Sequence, residues 1–318
     1  LTTAYTQTIE DNCSGIYGKF VLPSTDRPAS DVLLRKFGNA TQLVGEITIV
    51  GTDVVDLSFL RNVGKIIPSY LNVKDREAKM YIRIENNSKL ERLGWDMLQE
   101  VLIVAIHISN NPKLCYLTTE LDALFTTRDL DAVQGRICEA GPTDIEPPTQ
   151  CRIGNEGNLS SIPGECQSLI GRLTIDQSSS PYDFWKLYNI TTIYGQLTVR
   201  NASIKGLSPL WKLTQIVNLA PNESALIVES NKHMKSAFMS GIELVLSDEP
   251  VQIINNTVMK LLEEECTALG RSVDISSAGN RKNCPGRSKM GSELFDVSQY
   301  GTTMLCSVVM CTRFLYSP

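Results

Sequence analysis

The chain has 318 residues, of which 42% are apolar and 20% charged, and a formal net charge of −5. That length suits two domains of ordinary size, and that balance excludes an intrinsically disordered chain. The negative charge, with no basic run to offset it, argues against nucleic acid or an anionic membrane surface as the main partner, and no apolar stretch reaches the roughly 18 residues of a transmembrane helix.

In chain order, the first clear β pattern is Leu43–Ile49 (LVGEITI), where Ile47 and Ile49 alternate with polar residues. Period-2 alternation sends one set of side chains inward and the other outward. Further alternations follow at Leu71/Val73, Ile82/Ile84 and Ile106/Ile108, spaced 24, 11 and 24 residues from Ile47 onward. The interval of 11 is too short for a full repeat, so a tight return is expected around Lys74–Lys79. The pattern then starts again. Leu169–Ile175 (LIGRLTI) repeats Leu43–Ile49 at an offset of 126, and Ile253–Met259 (IINNTVM) resembles Ile108–Leu114 (ISNNPKL) at an offset of 145. In this second copy the inward pairs are Leu173/Ile175, Leu197/Val199, Leu226/Val228 and Val251/Ile253, spaced 24, 29 and 25 residues. A strand every two dozen residues with turns between is the signature of a solenoid, whose single repeats cannot bury their own apolar edges and must stack.

The order of LVGEITI, Leu57–Ile66 (LSFLRNVGKI), Tyr81–Asn87 (YIRIENN) and Asn110–Leu117 (NNPKLCYL) resembles the receptor L domain, as do Cys166–Ile175 (CQSLIGRLTI) and Ile190–Val199 (ITTIYGQLTV). This β-helical unit occurs in pairs in the ectodomains of the insulin and epidermal growth factor receptors. The resemblance implies two tandem right-handed, leucine-rich-repeat-like β-solenoids, mainly β, with short helices at the ends. The expected division is 1–140 for the first unit with an N-terminal extension, 141–150 for a linker, 151–285 for the second unit and 286–318 for a C-terminal tail. Two features depart from the large receptors. Only the Pro-rich segment Gly141–Gln150 separates the units, where those receptors carry a long cysteine-rich module, and no kinase follows. The layout is more similar to the small secreted L-domain proteins of nematodes.

Nine cysteines fall mostly near the expected domain ends, with no CxxC pair, which suits disulfides better than zinc. The resemblance implies the pairs Cys115–Cys138, Cys151–Cys166 and Cys266–Cys284. Cys13, Cys306 and Cys311 remain, with Cys306 expected to join either of the other two. Eight N-x-[ST] sequons add to the extracellular reading. Asn39, Asn158, Asn189, Asn201 and Asn222 are expected to be exposed and modifiable. Asn255, in an Asn-Asn pair, is expected to cap a turn from inside and to stay unmodified, and Asn86 is open to the same reading. The chain begins at Leu1 without an apolar leader, so a removed signal peptide is expected. Met304–Cys311 is open to three readings: a short packed tail, which is favoured, a strand, or the start of a membrane segment.

Catalytic chemistry has little support. The two histidines, His107 and His233, lie in different copies, and neither is accompanied by a nucleophile motif. No cofactor and no metal site are expected, and Glu263–Glu265 reads as a solvated helix face. Trp95, Trp185 and Trp211 read as core. The outward sheet face is the candidate ligand surface. It carries Thr48, Asn72, Arg83 and His107 in the first copy and Thr174, Thr198, Ile227 and Gln252 in the second. Family members use the corresponding face of the first L domain in hormone binding. The expected function is an extracellular, non-catalytic binding protein, secreted or a surface ectodomain. Its partner would be a secreted peptide or protein of insulin-like or growth-factor-like type, or a receptor. The alternative is an adhesive glycoprotein that self-associates.

Overall fold

The computed structural model describes residues 1–68, 81–102, 105–127, 130–140, 147–285 and 310–312. The fold is mainly β with few helices. It divides into two compact units, Leu1–Cys138 with Asp296–Pro318, and Glu139–Phe295.

The first unit contains β1 (Gly15–Leu22), β2 (Gln42–Val50), β3 (Lys65–Ile67), β4 (Tyr81–Glu85), β5 (Glu100–Val101), β6 (Ala105–Ser109), β7 (Cys115–Tyr116), β8 (Leu130–Val133) and β9 (Arg136–Ile137). Strands β1, β2, β4, β6 and β8 pair in parallel and in chain order. The register stacks Phe20, Ile47, Ile82 and Ile106 in one inward row and Leu22, Ile49, Ile84 and Ile108 in the next. All eight are at most 1% exposed, so the hydrophobic effect fixes which face looks inward, since a one-residue slip would turn every one of these side chains to solvent. Phe20 also meets Phe37 edge-on and Phe59 in a stack, at centroid distances of 5.5 and 5.9 Å. Strand β1 extends the unit N-terminally beyond the first predicted strand. Its alternation of Ile16, Phe20 and Leu22 around Gly18 follows that of Leu43, Ile47 and Ile49 around Gly45.

The pairs Leu71/Val73 and the expected return at Lys74–Lys79 lie outside the described residues. Across that interval Ile47 pairs directly with Ile82 and Thr48 with Arg83.

The second unit repeats the plan with β10 (Gln150–Asn158), β11 (Ser168–Ile175), β12 (Thr192–Arg200), β13 (Gln215–Val217), β14 (Leu226–Glu229), β15 (Leu244–Leu246), β16 (Val251–Ile254) and β17 (Ile275–Ala278). Strands β10, β11, β12, β14, β16 and β17 pair in parallel. All eight expected inward residues of this copy are fully buried. In both units a long strand changes partners midway. The first half of β12 pairs with β13 and the second half with β14; β2 does the same with β3 and β4. The corner is a glycine, Gly195 or Gly45, at φ 142° or 148°. A Cβ on Gly195 would sit 2.0 Å from the Gly171 carbonyl oxygen, and one on Gly45 would sit 1.8 Å from that of Gly18. Only glycine permits both this backbone and this approach, which explains why LVGEITI, LIGRLTI and IYGQLTV share it.

Beside the inward rows run ladders of asparagine amides. Asn87 donates from Nδ2 to Asn111 Oδ1 at 3.1 Å and to the Ile49 carbonyl at 3.0 Å, and it accepts from Thr52 N at 2.8 Å. In the second unit Asn231, Asn256 and Asn280 form the same series, with Ala202 N donating to Asn231 Oδ1 at 2.8 Å. Asn87, Asn231 and Asn256 are completely buried. This corrects the expectation for Asn255 and Asn86 by one residue. Both are exposed and hold the left-handed backbone, at φ 57° and 56°, that turns the chain; the following asparagine points inward. A side chain can leave the strand and aim at the neighbouring turn only after that left-handed step.

Each unit carries a short helix before its last strands, α3 (Thr118–Leu124) and α4 (Glu263–Leu269), after α1 (Thr3–Thr8) and α2 (Ser30–Phe37) near the N-terminus. Glu120 and Glu265, 145 residues apart, are each 1% exposed. Glu120 accepts from Leu117 N at 2.9 Å and Trp95 N at 3.1 Å; Glu265 accepts from Leu262 N at 2.7 Å and from the Ser236 hydroxyl. The reading of Glu263–Glu265 as a solvated face therefore fails at Glu265, whose carboxylate satisfies the Leu262 N–H at the helix start and the Ser236 hydroxyl.

Three disulfides join Cys115 to Cys138, Cys151 to Cys166 and Cys266 to Cys284. Cys13 is also disulfide-bonded, and the expected pairing of Cys306 lies outside the described residues. The segment expected to be a packed tail contributes β18 (Met310–Thr312), which pairs antiparallel with β1, Gly15 opposite Thr312. It supplies hydrogen-bond partners to a strand edge that would otherwise stand open.

Candidate binding site

Period-2 alternation leaves Val21, Thr48, Arg83, His107 and Ala132 in one outward row of the first sheet, held there by register. Thr48, Arg83 and His107 are thus brought together as the sequence suggests. Asn72 lies outside the described residues, and the place beside Arg83 that it was expected to hold belongs to Thr48.

The neighbouring outward row runs from Val50 through Glu85 to Ser109, and it changes the chemistry of the face. Glu85 Oε2 lies 2.8 Å from Arg83 Nη2, and Glu85 Oε1 lies 3.0 Å from His107 Nε2. Ser109 Oγ is also 3.0 Å from that imidazole nitrogen. The Glu85 hydrogen bond holds the Arg83 guanidinium pKa above its ordinary value. The Glu85 side chain is only 12% exposed, against 47% for Arg83. The cluster therefore presents a cation to solvent over a half-hidden carboxylate. Sequence reasoning paired Arg83 with His107 and missed Glu85, although its position two residues after Arg83 on the same strand places it on the same face.

On the second sheet, Thr174, Thr198, Ile227 and Gln252 share one outward row. No charged residue stands in that row. Two residues before Thr174, Arg172 donates from Nη2 to both Glu223 oxygens, at 2.6 and 2.7 Å. Among the tryptophans, Trp95 is core at 1% exposure, while Trp185 and Trp211 are 51% and 52% exposed, contrary to the expectation that all three pack inside. Trp185 lies within the 3-10 segment Pro181–Asn189 and Trp211 directly follows Ser208–Leu210, short arcs that present one side to solvent. His233 is not part of either outward row.

Among the described residues, no group of three or more His, Cys, Asp or Glu side chains is placed to hold a metal ion. Nor is any helix among the described residues long and apolar enough to cross a membrane.

The family model described as Receptor L domain matches residues 12–126 and 165–269, one stretch in each of the two units. The chain belongs to the Receptor L domain family. At the level of the family this is a ligand-binding, receptor-ectodomain-like role. Among curated proteins, the L-domain chain is similar to protein irld-34 of Caenorhabditis elegans, at 28% identity over 251 residues. The match covers 74% of this chain and 60% of that protein, so the chain spans less than two thirds of its relative's length. The sequons Asn39, Asn158, Asn189, Asn201 and Asn222 of the L-domain chain are all exposed.

Proposed function

We propose that this chain is an extracellular, non-catalytic binding protein whose two units are right-handed β-solenoids, and that the first unit's outward sheet face recognises a secreted peptide or protein partner. The observation that carries the reading is the Arg83–Glu85–His107 cluster. Its members stand on paired strands, so little side-chain freedom is lost on binding, and its outermost group is a cation that a partner's carboxylate or amide oxygen can meet. Three disulfides and eight sequons support an oxidising, secretory environment. An insulin-like or growth-factor-like peptide, or a receptor, is the partner class that family membership favours.

The test is capture of partners from extracellular fluid on the immobilised glycosylated chain, followed by affinity measurement with two variants. Arg83→Glu reverses the exposed charge and should weaken the captured partner's binding tenfold or more. Thr198→Ala, on the second sheet, should leave it unchanged. Unaltered affinity in Arg83→Glu would remove the first face from consideration.

A further inference from the structure

The second unit exposes more aromatic surface than a solitary glycoprotein face requires. Tyr182, Trp185, Tyr188 and Trp211 are 90%, 51%, 49% and 52% exposed. Three lie on one 3-10 segment, Pro181–Asn189, and Trp211 follows another at Ser208–Leu210. Apolar patches of this kind are covered by something in the working molecule.

Tyr188 and Trp211 occupy equivalent positions of successive repeats. Thr214 N donates to Thr191 O at 2.8 Å, and Lys212 Nζ donates to Asn189 Oδ1 at 3.0 Å. Both contacts span 23 residues, as does the step from Tyr188 to Trp211. Asn189 therefore stands directly beside this aromatic pair, and a single ammonium links them, since Lys212 Nζ also lies 5.0 Å from the centre of the Trp211 ring. Asn189 opens the sequon Asn189-Ile190-Thr191 and is exposed. Its Oδ1 is engaged by Lys212, whereas its Nδ2, the atom to which a glycan is joined, makes no hydrogen bond among the described residues. Asn39 differs, with its Nδ2 donating to Asn12 Oδ1 at 3.1 Å.

We propose that an N-linked glycan on Asn189 folds back over Tyr188 and Trp211 and covers them. The proposal rests on the extracellular reading above. A pyranose ring has an apolar face of C–H groups and a rim of hydroxyls, which suits aromatic rings that are apolar in body and solvated at the edge. A protein partner or a second copy seated on the same strip would have to accommodate a bulky, hydrated group at its centre. The glycan thus removes the strip from the surfaces open to partners and leaves the sheet faces.

The experiment uses the full chain secreted from a glycosylating host. Glycopeptide mass spectrometry reads occupancy at each sequon, and acrylamide quenching of tryptophan fluorescence reads cover. The comparison is between untreated protein, protein stripped of all N-glycans by an amidase under native conditions, protein trimmed to the first sugar, Asn189→Gln, and Thr257→Ala, which removes only the Asn255 sequon. Asn189 is expected to be occupied. The quenching constant is expected to rise about twofold in the stripped protein and in Asn189→Gln, because Trp211 joins Trp185 as an accessible indole while Trp95 stays buried. The trimmed protein and Thr257→Ala should keep untreated values. The amidase arm tests the proposal on folded protein even if Asn189→Gln fails to fold. An empty Asn189 on a chain glycosylated elsewhere, quenching unchanged by stripping, or protection in stripped protein through self-association would each overturn the proposal. Absence of glycan from every sequon of the secreted chain would overturn it together with the extracellular reading.

Discussion

Asn231 rests on Asn256: its backbone N–H and its side-chain amide both donate to Asn256 Oδ1, at 2.9 and 3.0 Å. Asn256 in turn donates to the Val228 and Ile254 carbonyls at 3.0 Å each. With Asn280 Oδ1 as a further acceptor, this buried amide serves two donors and three acceptors and cannot be replaced by a side chain lacking either function. Asn256→Leu is expected to destabilise the second unit by about 3 kcal/mol or more, since it strands several buried polar groups at once. Asn255→Gly, one residue earlier, should change stability by less than about 1 kcal/mol, because glycine accepts its left-handed backbone. Denaturant unfolding of the two variants checks the contrast.

The glycine corners predict a second contrast. Gly195→Ala places a methyl 2.0 Å from the Gly171 carbonyl oxygen, so the two strands must part, with a loss of about 3 kcal/mol or more. Gly154→Ala meets nothing within 4 Å and bears only the cost of a left-handed backbone at φ 70°, roughly 1 kcal/mol. Thermal scanning should show a large shift for the first and a small one for the second.

Burial raises the pKa of Glu120, against the lowering effect of its hydrogen bonds from Leu117 N and Trp95 N. The folded chain therefore holds this proton more tightly than the unfolded chain. Its contribution to stability is fully present below the ordinary glutamate value and is lost as pH rises through the raised value. Glu120→Gln should abolish that slope in the weakly acidic range. At neutral pH it should cost roughly 1–3 kcal/mol, because one of the two backbone donors loses its acceptor. Urea midpoints measured across pH for both proteins decide it.

Ile84 and Arg83 are adjacent on β4 and should respond in opposite ways. Ile84→Asp buries an unpaired carboxylate at a fully enclosed position and is expected to unfold the first unit. Arg83→Gln loses one exposed ion pair with Glu85, worth about 1 kcal/mol or less, and should keep the melting temperature within a few degrees. Circular dichroism melts separate the two outcomes.

Much of this architecture is legible in the sequence because it is periodic. The duplication of LVGEITI, the inward pairs from Leu173 to Ile253 and the outward row through Thr48, Arg83 and His107 all follow from alternation every two residues, a property of the strand itself. The glycine corner is also written there, three times over, though its reason appears only when Gly171 is seen against Gly195. The second Asn of each pair could have been found from the repeats: the turn residue varies as Asn86, Ser230 and Gly279, because it need only tolerate a positive φ, while the residue after it is asparagine each time.

Tertiary structure alone decided the rest. Glu85 meets both Arg83 and His107 because parallel strands bring the three side chains to contacts of 2.8 and 3.0 Å, and no spacing along the chain states which carboxylate a cation will choose. Glu265 is buried and Trp211 exposed against the tendencies of their residue types, since the buried carboxylate depends on the Ser236 hydroxyl, 29 residues away, as well as on the nearby Leu262 N–H, and an exposed indole on which side of an arc faces water. The strand Met310–Thr312 joins β1 across nearly the whole length of the chain, a pairing set by the open edge of Gly15–Leu22 that local pattern cannot encode.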